Sequence, residues 1–280
     1  MAINDISLTA GMRSNLLSLQ GTASLLDRTQ ERLSTGKKLN DPIDNAVNYF
    51  LAKSFTDRAS DLSISKDNMA TAIQTITAAS NGVKAISALV DSAKSIASAA
   101  AASSSSTDRT AYHDQFATLL TQIDNIANGT SGDATFNGTN LLDVGPKTLI
   151  VDLGDKSTLT VTGFNATTAS TGLSLTTGGA WSADATGDGL ITTATNALAS
   201  ASTTLRAGTT TLSSNLNTVT IRQTFASDMI STLQKGADNL TLADMNEEGA
   251  NMLALQTRQS LGITSLSLAS QANQSILKLF

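Results

Sequence analysis

The chain has 280 residues, a net charge of -5 and an isoelectric point near 4.8, and its lysines and arginines form no cluster, so the electrostatic footprint of a nucleic-acid binder is missing. Cysteine is absent, which removes disulfides, thiolate catalysis and cysteine metal sites. Aromatics make up only 4% of residues, and the apolar fraction is mostly alanine, leucine, isoleucine and valine, which suits thin helical layers better than a bulky globular centre.

The N-terminus, Met1-Ala2-Ile3-Asn4-Asp5, has no charged segment leading into an apolar run, and no stretch reaches the roughly 18 apolar residues of a membrane span. Neither a cleaved signal peptide nor membrane insertion is expected. From residue 12 to 33, Met12, Leu16, Leu19, Ala23, Leu26 and Leu33 recur at spacings of four and three, with Gln30 at the remaining position, and predict a coiled-coil stripe. Gly36 is the helix stop. Asp41-Pro42 with Asp44 predicts a new helix start: an N-cap, a proline at the first position and an acid in the first turn.

That helix carries an apolar residue at every seventh position, Phe55, Leu62, Met69, Ile76, Val83, Val90 and Ala97, beside a column of mainly small residues, Ala72, Ala79, Ile86, Ala93 and Ala100. If helical from 43 to 100 it is about 85 Å long and needs a partner of similar length. After Ser103 to Ser106, Tyr112, Phe116, Leu119, Leu120, Ile123 and Ile126 predict a shorter helix closing near Asn128-Gly129. Residues 130 to 190 turn to Gly, Thr, Asp and Asn, and Leu149-Ile150-Val151 and Leu159-Thr160-Val161 flanking Gly154-Asp155-Lys156 predict one β-hairpin. Heptads return at Leu198, Leu205, Leu212, Val219, Ala226 and Leu233, then at Met252, Leu255, Leu266, Ala269, Ile276 and Phe280. The expected fold is mainly α: a long antiparallel coiled-coil rod formed by the two halves of the chain, with a small β-hairpin insert. Its parts are 1–40 with 240–280 as a terminal coiled coil, 41–145 with 191–239 as a helical rod, and 146–190 as the insert.

Three segments carry a resemblance. Arg32-Leu33-Ser34-Thr35-Gly36-Lys37-Lys38-Leu39-Asn40 is similar to the R-L-S-[ST]-G-[KR]-[KR]-[IL]-N signature of bacterial flagellins, although Asp41-Pro42-Ile43-Asp44-Asn45-Ala46 departs from the usual S-A-K-D-D-A. Phe136-Asn137-Gly138 resembles the F-N-G turn of that family. The segment from Ser267 to Phe280 resembles its A-N-Q-x-P-Q-x-[IV]-L-x-L-[LF] ending, without the proline. The likeness spans about the first 160 and last 80 residues and leaves no room for a large outer domain.

The resemblance implies a non-enzymatic subunit of an extracellular flagellar filament, a helical homopolymer exported unfolded through the flagellum's own channel and assembled at its tip. By carry-over, Met12, Leu16, Leu19, Leu26, Leu33, Met252, Leu255, Leu266, Ala269, Ile276 and Phe280 lie in the inner coiled coil between subunits. Phe55, Leu62, Met69, Ile76, Val83, Val90, Leu205, Leu212 and Val219 form the rod seam. An export chaperone for the C-terminal apolar stripe, a filament cap and hook-junction proteins are the implied partners, with no cofactor. The alternative is a hook–filament junction protein, against which the intact C-terminal motif argues. The family's helix face for a vertebrate innate receptor carries Q-R-V-R-E-L-A, whereas this chain reads Val90-Asp91-Ser92-Ala93-Lys94-Ser95-Ile96-Ala97. Heptad matching sets the first arginine and the glutamate against Ser92 and Ser95, and a one-residue slip sets them against Asp91 and Lys94.

The remaining features have plainer readings. His113 is the only histidine, lacks a second base and is expected at the surface; it cannot supply H-E-x-x-H. Asp184 to Gly189 has the look of a calcium loop but reads as a Gly/Asp turn. Ser103 to Ser106 and the threonines of the insert are either solvated linker or O-glycosylation acceptors.

Overall fold

The computed structural model describes residues 10–128, 133–144, 147–154 and 156–277, and of 273, 276 and 277 the backbone alone. These residues form α1 (Ala10–Thr35), α2 (Ala46–Ala102), α3 (Ser106–Ala127), β1 (Thr148–Asp152), β2 (Thr158–Thr162), α4 (Ala185–Thr241) and α5 (Met245–Leu277). They divide into two compact units, one made by the chain up to Arg58 with the chain from Thr232 on, the other by Ala59–Ser231.

The second unit is built on the heptads. Met69, Ile76, Val83 and Val90 of α2, with Ala72, Ala79, Ile86 and Ala93 of the small column, share one buried core with Phe116, Leu120 and Ile123 of α3 and with Leu198, Leu205, Leu212, Val219 and Ala226 of α4. The water-facing side of α4 is treated differently. Thr192, Thr203, Thr210, Thr211 and Thr218 each donate a hydroxyl back to the carbonyl four residues earlier, so the exposed face is coated with hydroxyls already bonded to their own helix.

β1 and β2 pair antiparallel with Ile150 opposite Thr160. Period-two alternation puts Val151 and Val161 in the core and leaves Ile150 exposed. The connecting loop has Gly154 at φ 85° and Lys156 at φ 63°, and Leu153 donates to Ser157 at 2.8 Å. Behind the hairpin, Phe164 occupies the space a side chain would need at Gly208 on α4, so the absence of a Cβ there makes the docking notch. Asp124 of α3 holds the following loop, accepting from the Thr168 amide at 2.8 Å and its hydroxyl at 2.7 Å.

The helix starts differ from expectation. α2 begins at Ala46 with Asn45 accepting from the Asn48 amide at 3.1 Å, because the Asp44 carboxylate is engaged by the amides of Asn40 and Asp41 and folds that segment into a turn. α3 starts within the serine run, where Ser105 caps it by accepting from Asp108. α4 starts inside the stretch resembling a calcium loop, with Asp184 accepting from the Gly187 amide at 2.8 Å as its N-cap.

The sequence reading missed the residues that close this end of the second unit. Arg109, 6% exposed, donates from Nε to Ser103 O at 2.6 Å and from Nη1 to Ser182 O at 2.8 Å and Asp188 Oδ1 at 2.7 Å. Trp181 is buried against Phe116, ring centroids 5.0 Å apart, and meets the His113 ring edge-on at 5.5 Å. His113 is thus half-buried packing material instead of a surface residue; its Nε2 and Trp181 Nε1 are buried without a hydrogen-bond partner among the described residues.

Candidate assembly site

In the first unit α1 and α5 run antiparallel, as Arg32 bonds Glu248 and Asn15 bonds Ser265. The positions of α1 least open to solvent are 12, 15, 19, 22, 23, 26, 29, 32 and 33, a heptad stripe with Ala23 and Arg32 at its edge. One column is Met12, Leu19, Leu26 and Leu33; the other is Asn15, Thr22 and Thr29, of which the two threonines are the fully buried residues of α1. Leu16 lies off this stripe at 39% exposure. On α5 the matching positions are Glu248, Met252, Leu255, Gln259, Gly262, Leu266 and Ala269. Gly262 faces Leu19 closely enough that an added Cβ would sit 3.1 Å from its Cδ1. The backbone of Ile276 continues α5, and Phe280 lies outside the described residues.

This seam is thin, with three polar residues in one α1 column and Glu248, Gln259 and Gly262 opposite. Much of the apolar surface points elsewhere: Leu17 is 72% exposed and Leu261 66%, with Leu25, Leu253, Ile263 and Leu268 also open. No helix among the described residues is long and apolar enough to cross a membrane. Open apolar residues in this number on one helix pair are surface that an interaction would cover.

The residues of the Arg32 to Asn40 signature make the junction beside this pair. Gly36, at φ 71°, ends α1, and its amide donates to Arg32 O. Lys38 N donates to Thr241 O at 2.7 Å and Ala243 N to Gly36 O at 3.0 Å, which lashes the α1–α2 connection to the α4–α5 connection. Arg32 Nη1 reaches the buried Glu248 Oε1 at 2.9 Å. In the Phe136-Asn137-Gly138 turn, Asn137 and Gly138 both have positive φ and Phe136 and Thr139 exchange two backbone bonds, the geometry of a two-residue mirror-image turn.

The rod-seam residues fall into two places. Phe55 is half-buried in the first unit, where it packs against Gly236. Leu62, Met69, Ile76, Val83, Val90, Leu205, Leu212 and Val219 are buried in the second. Asp91, Ser92, Lys94 and Ser95 lie on the exposed side of α2, where Ser95 bonds back to Asp91 O. No group of three or more histidine or acidic side chains that could hold a metal exists among the described residues.

A helix pair with a thin internal seam and open apolar faces, in one chain with a well-packed helical unit, is a mainly helical structural protein's architecture with surface left to cover. The chain belongs to the bacterial flagellin family. Residues 3–145 match the bacterial flagellin N-terminal helical region. Over their full lengths the chain is 35% identical to flagellin FljK and 34% to flagellin FljO, both of Caulobacter vibrioides. It is 29% identical to a flagellin of Brucella melitensis, with 99% of this chain and 97% of that one aligned. It is a structural subunit of the extracellular flagellar filament, which these full-length likenesses favour over a hook–filament junction protein.

Proposed function

We propose that assembly proceeds through the terminal helix pair, whose open leucines and isoleucines become buried between subunits. The supporting observation is the mismatch on α1 and α5: the shared seam carries polar residues while Leu17, Leu253, Leu261, Ile263 and Leu268 face outward. Residues 1–40 with 240–280 then form the inner layer of the filament, a coiled coil held within each subunit by Met12, Leu19, Leu26, Leu33, Met252, Leu255, Leu266 and Ala269 and joined between subunits by Leu16, Ile276 and Phe280 together with the open residues above. Residues 41–145 with 191–239 form the surrounding layer, and 146–190 face outward.

Before assembly the same stripe needs cover. An export chaperone binding Leu255, Leu261, Leu266, Leu268, Ile276 and Leu277 would provide it, and cap and hook-junction proteins would meet the chain at the filament ends. Export without a cleaved signal peptide and the absence of enzymatic activity complete this reading. Its test is seeded growth: full-length chain extends native filament seeds under electron microscopy, whereas a chain lacking 246–280 stays soluble and partly helical. Growth from the shortened chain would show that α5 is not the joint.

A further inference from the structure

The cleft beside the Arg32–Glu248 pair has an unbalanced charge. It measures about 290 Å³ and is lined by three guanidinium groups, Arg28, Arg32 and Arg258, against a single carboxylate, Glu248. That carboxylate is engaged by Arg32 at 2.9 Å and buried. Among the described residues neither Arg28 nor Arg258 has an ion pair. Their own helices give no relief. Arg32 is the residue four on from Arg28, Glu31 three on makes no ion pair with it, and the neighbours of Arg258 at three and four are Ala254, Leu255, Leu261 and Gly262.

A second observation points into the same space. Thr29 lines the cleft, is only 7% exposed, and its hydroxyl has no hydrogen-bond partner among the described residues. On the same helix Thr22 and Thr35 donate back to the carbonyls of Ser18 and Glu31. The Thr29 hydroxyl is not sealed from solvent, and it lines the cleft where it can donate to an acceptor in place of water. Asn251, on the opposite wall, can add an amide donor.

We propose that this cleft is an oxyanion site, in which Arg28 and Arg258 grip a carboxylate or phosphate group from two sides and Thr29 donates to it from the floor. Forked guanidinium donors match the paired oxygens of such groups, and the volume suits one small anion. Two sources share that chemistry: an acidic side chain of a second copy of this chain, which rests on the assembly reading above, and dissolved inorganic phosphate, which does not.

The experiment uses full-length wild-type protein, the double variant Arg28→Gln, Arg258→Gln, and Thr29→Val. Phosphate binding is measured by equilibrium dialysis on monomer and on washed filaments, and the critical concentration for assembly is measured with and without phosphate at constant ionic strength. If dissolved anion is the ligand, wild-type filaments take up close to one phosphate per subunit saturably, with affinity about tenfold or more weaker in the double variant. If a second copy supplies the carboxylate, filaments take up none, phosphate raises the wild-type critical concentration, and both variants start from a raised value that phosphate no longer moves. No uptake in either state, together with equal critical concentrations for all three proteins, overturns the site. Phosphate uptake by a monomer that forms no filaments would sustain the site and overturn the assembly reading.

Discussion

Arg109 shows how much of the second unit's closed end hangs on one side chain. Replacing it with alanine removes three bonds and leaves two carbonyls short of a donor, a loss of about 2–4 kcal/mol for a buried, charge-assisted set. Thermal unfolding of Arg109→Ala should fall by several degrees, and an unchanged midpoint would mean that water replaces the guanidinium. Trp181 is the only tryptophan and is fully buried, so its emission should be blue-shifted in the folded chain and move red as this unit unfolds. Asp184 adds an acid dependence. Bonds from the Gly187 amide and then the Ser182 hydroxyl hold its carboxyl below the usual carboxylate value of 3.8. Its contribution is complete above the unfolded value and is lost as pH falls through the lower folded one. Melting between pH 5 and pH 2 should therefore be less acid-sensitive in Asp184→Asn, which begins weaker at neutral pH; parallel acid profiles would rule this out. None of these roles was legible in sequence, because Arg109 ties α3 to residues 73 and 79 positions on, Trp181 packs on rings far back in the chain, and Asp184 acts through local groups.

At the scale of an element, legibility followed the number of apolar faces. The α2 heptad has one, and the columns from Leu62 to Val90 and from Ala72 to Ala100 are buried as the spacing indicates. α1 has more than one, and spacing alone selected Leu16 where packing selects Asn15, Thr22 and Thr29. A polar residue on a seam and a leucine off it cannot be told apart by hydrophobicity in a helix with apolar residues on two sides. The start of α2 was misplaced for a simpler reason: Asp44 can cap a turn as well as begin a helix. Two substitutions separate the faces of α5. Leu266→Asp places a charge on the half-buried seam, at a cost of several kcal/mol if it stays unpaired, and should block polymerisation and loosen α5 from α1. Leu261→Asp changes an exposed position and should block polymerisation while leaving monomer circular dichroism unaltered. Normal filament growth from Leu261→Asp would remove that face from the subunit contacts.

At the scale of the whole molecule, exposed chemistry on α2 bears on recognition by other organisms. Asp91, Ser92, Lys94 and Ser95 present neither register of the family's arginine–glutamate pair, so depolymerised subunits should be poor agonists of the vertebrate innate receptor that detects many flagellins. Losing such a charged contact costs roughly 2–5 kcal/mol when its partner stays buried, about 30-fold to several thousand-fold in affinity. A reporter-cell titration against a flagellin with the intact motif measures this, and comparable potency would defeat it. Restoring Ser92→Arg with Ser95→Glu should recover part of the signal.

The back-bonded threonines of α4 bear on how such a subunit travels. Threonine's branched side chain loses rotamers in a helix, and a hydroxyl turned onto its own backbone gives nothing to a neighbour. The order of α4 therefore comes from the buried stripe from Leu198 to Ala226 and not from the helix itself. Pulled away from that stripe, α4 has little reason to keep its turns. If the chain is exported as a thread, as the resemblance implies, such a helix resists entry into a narrow conduit little and winds up again only where a core is waiting to receive it.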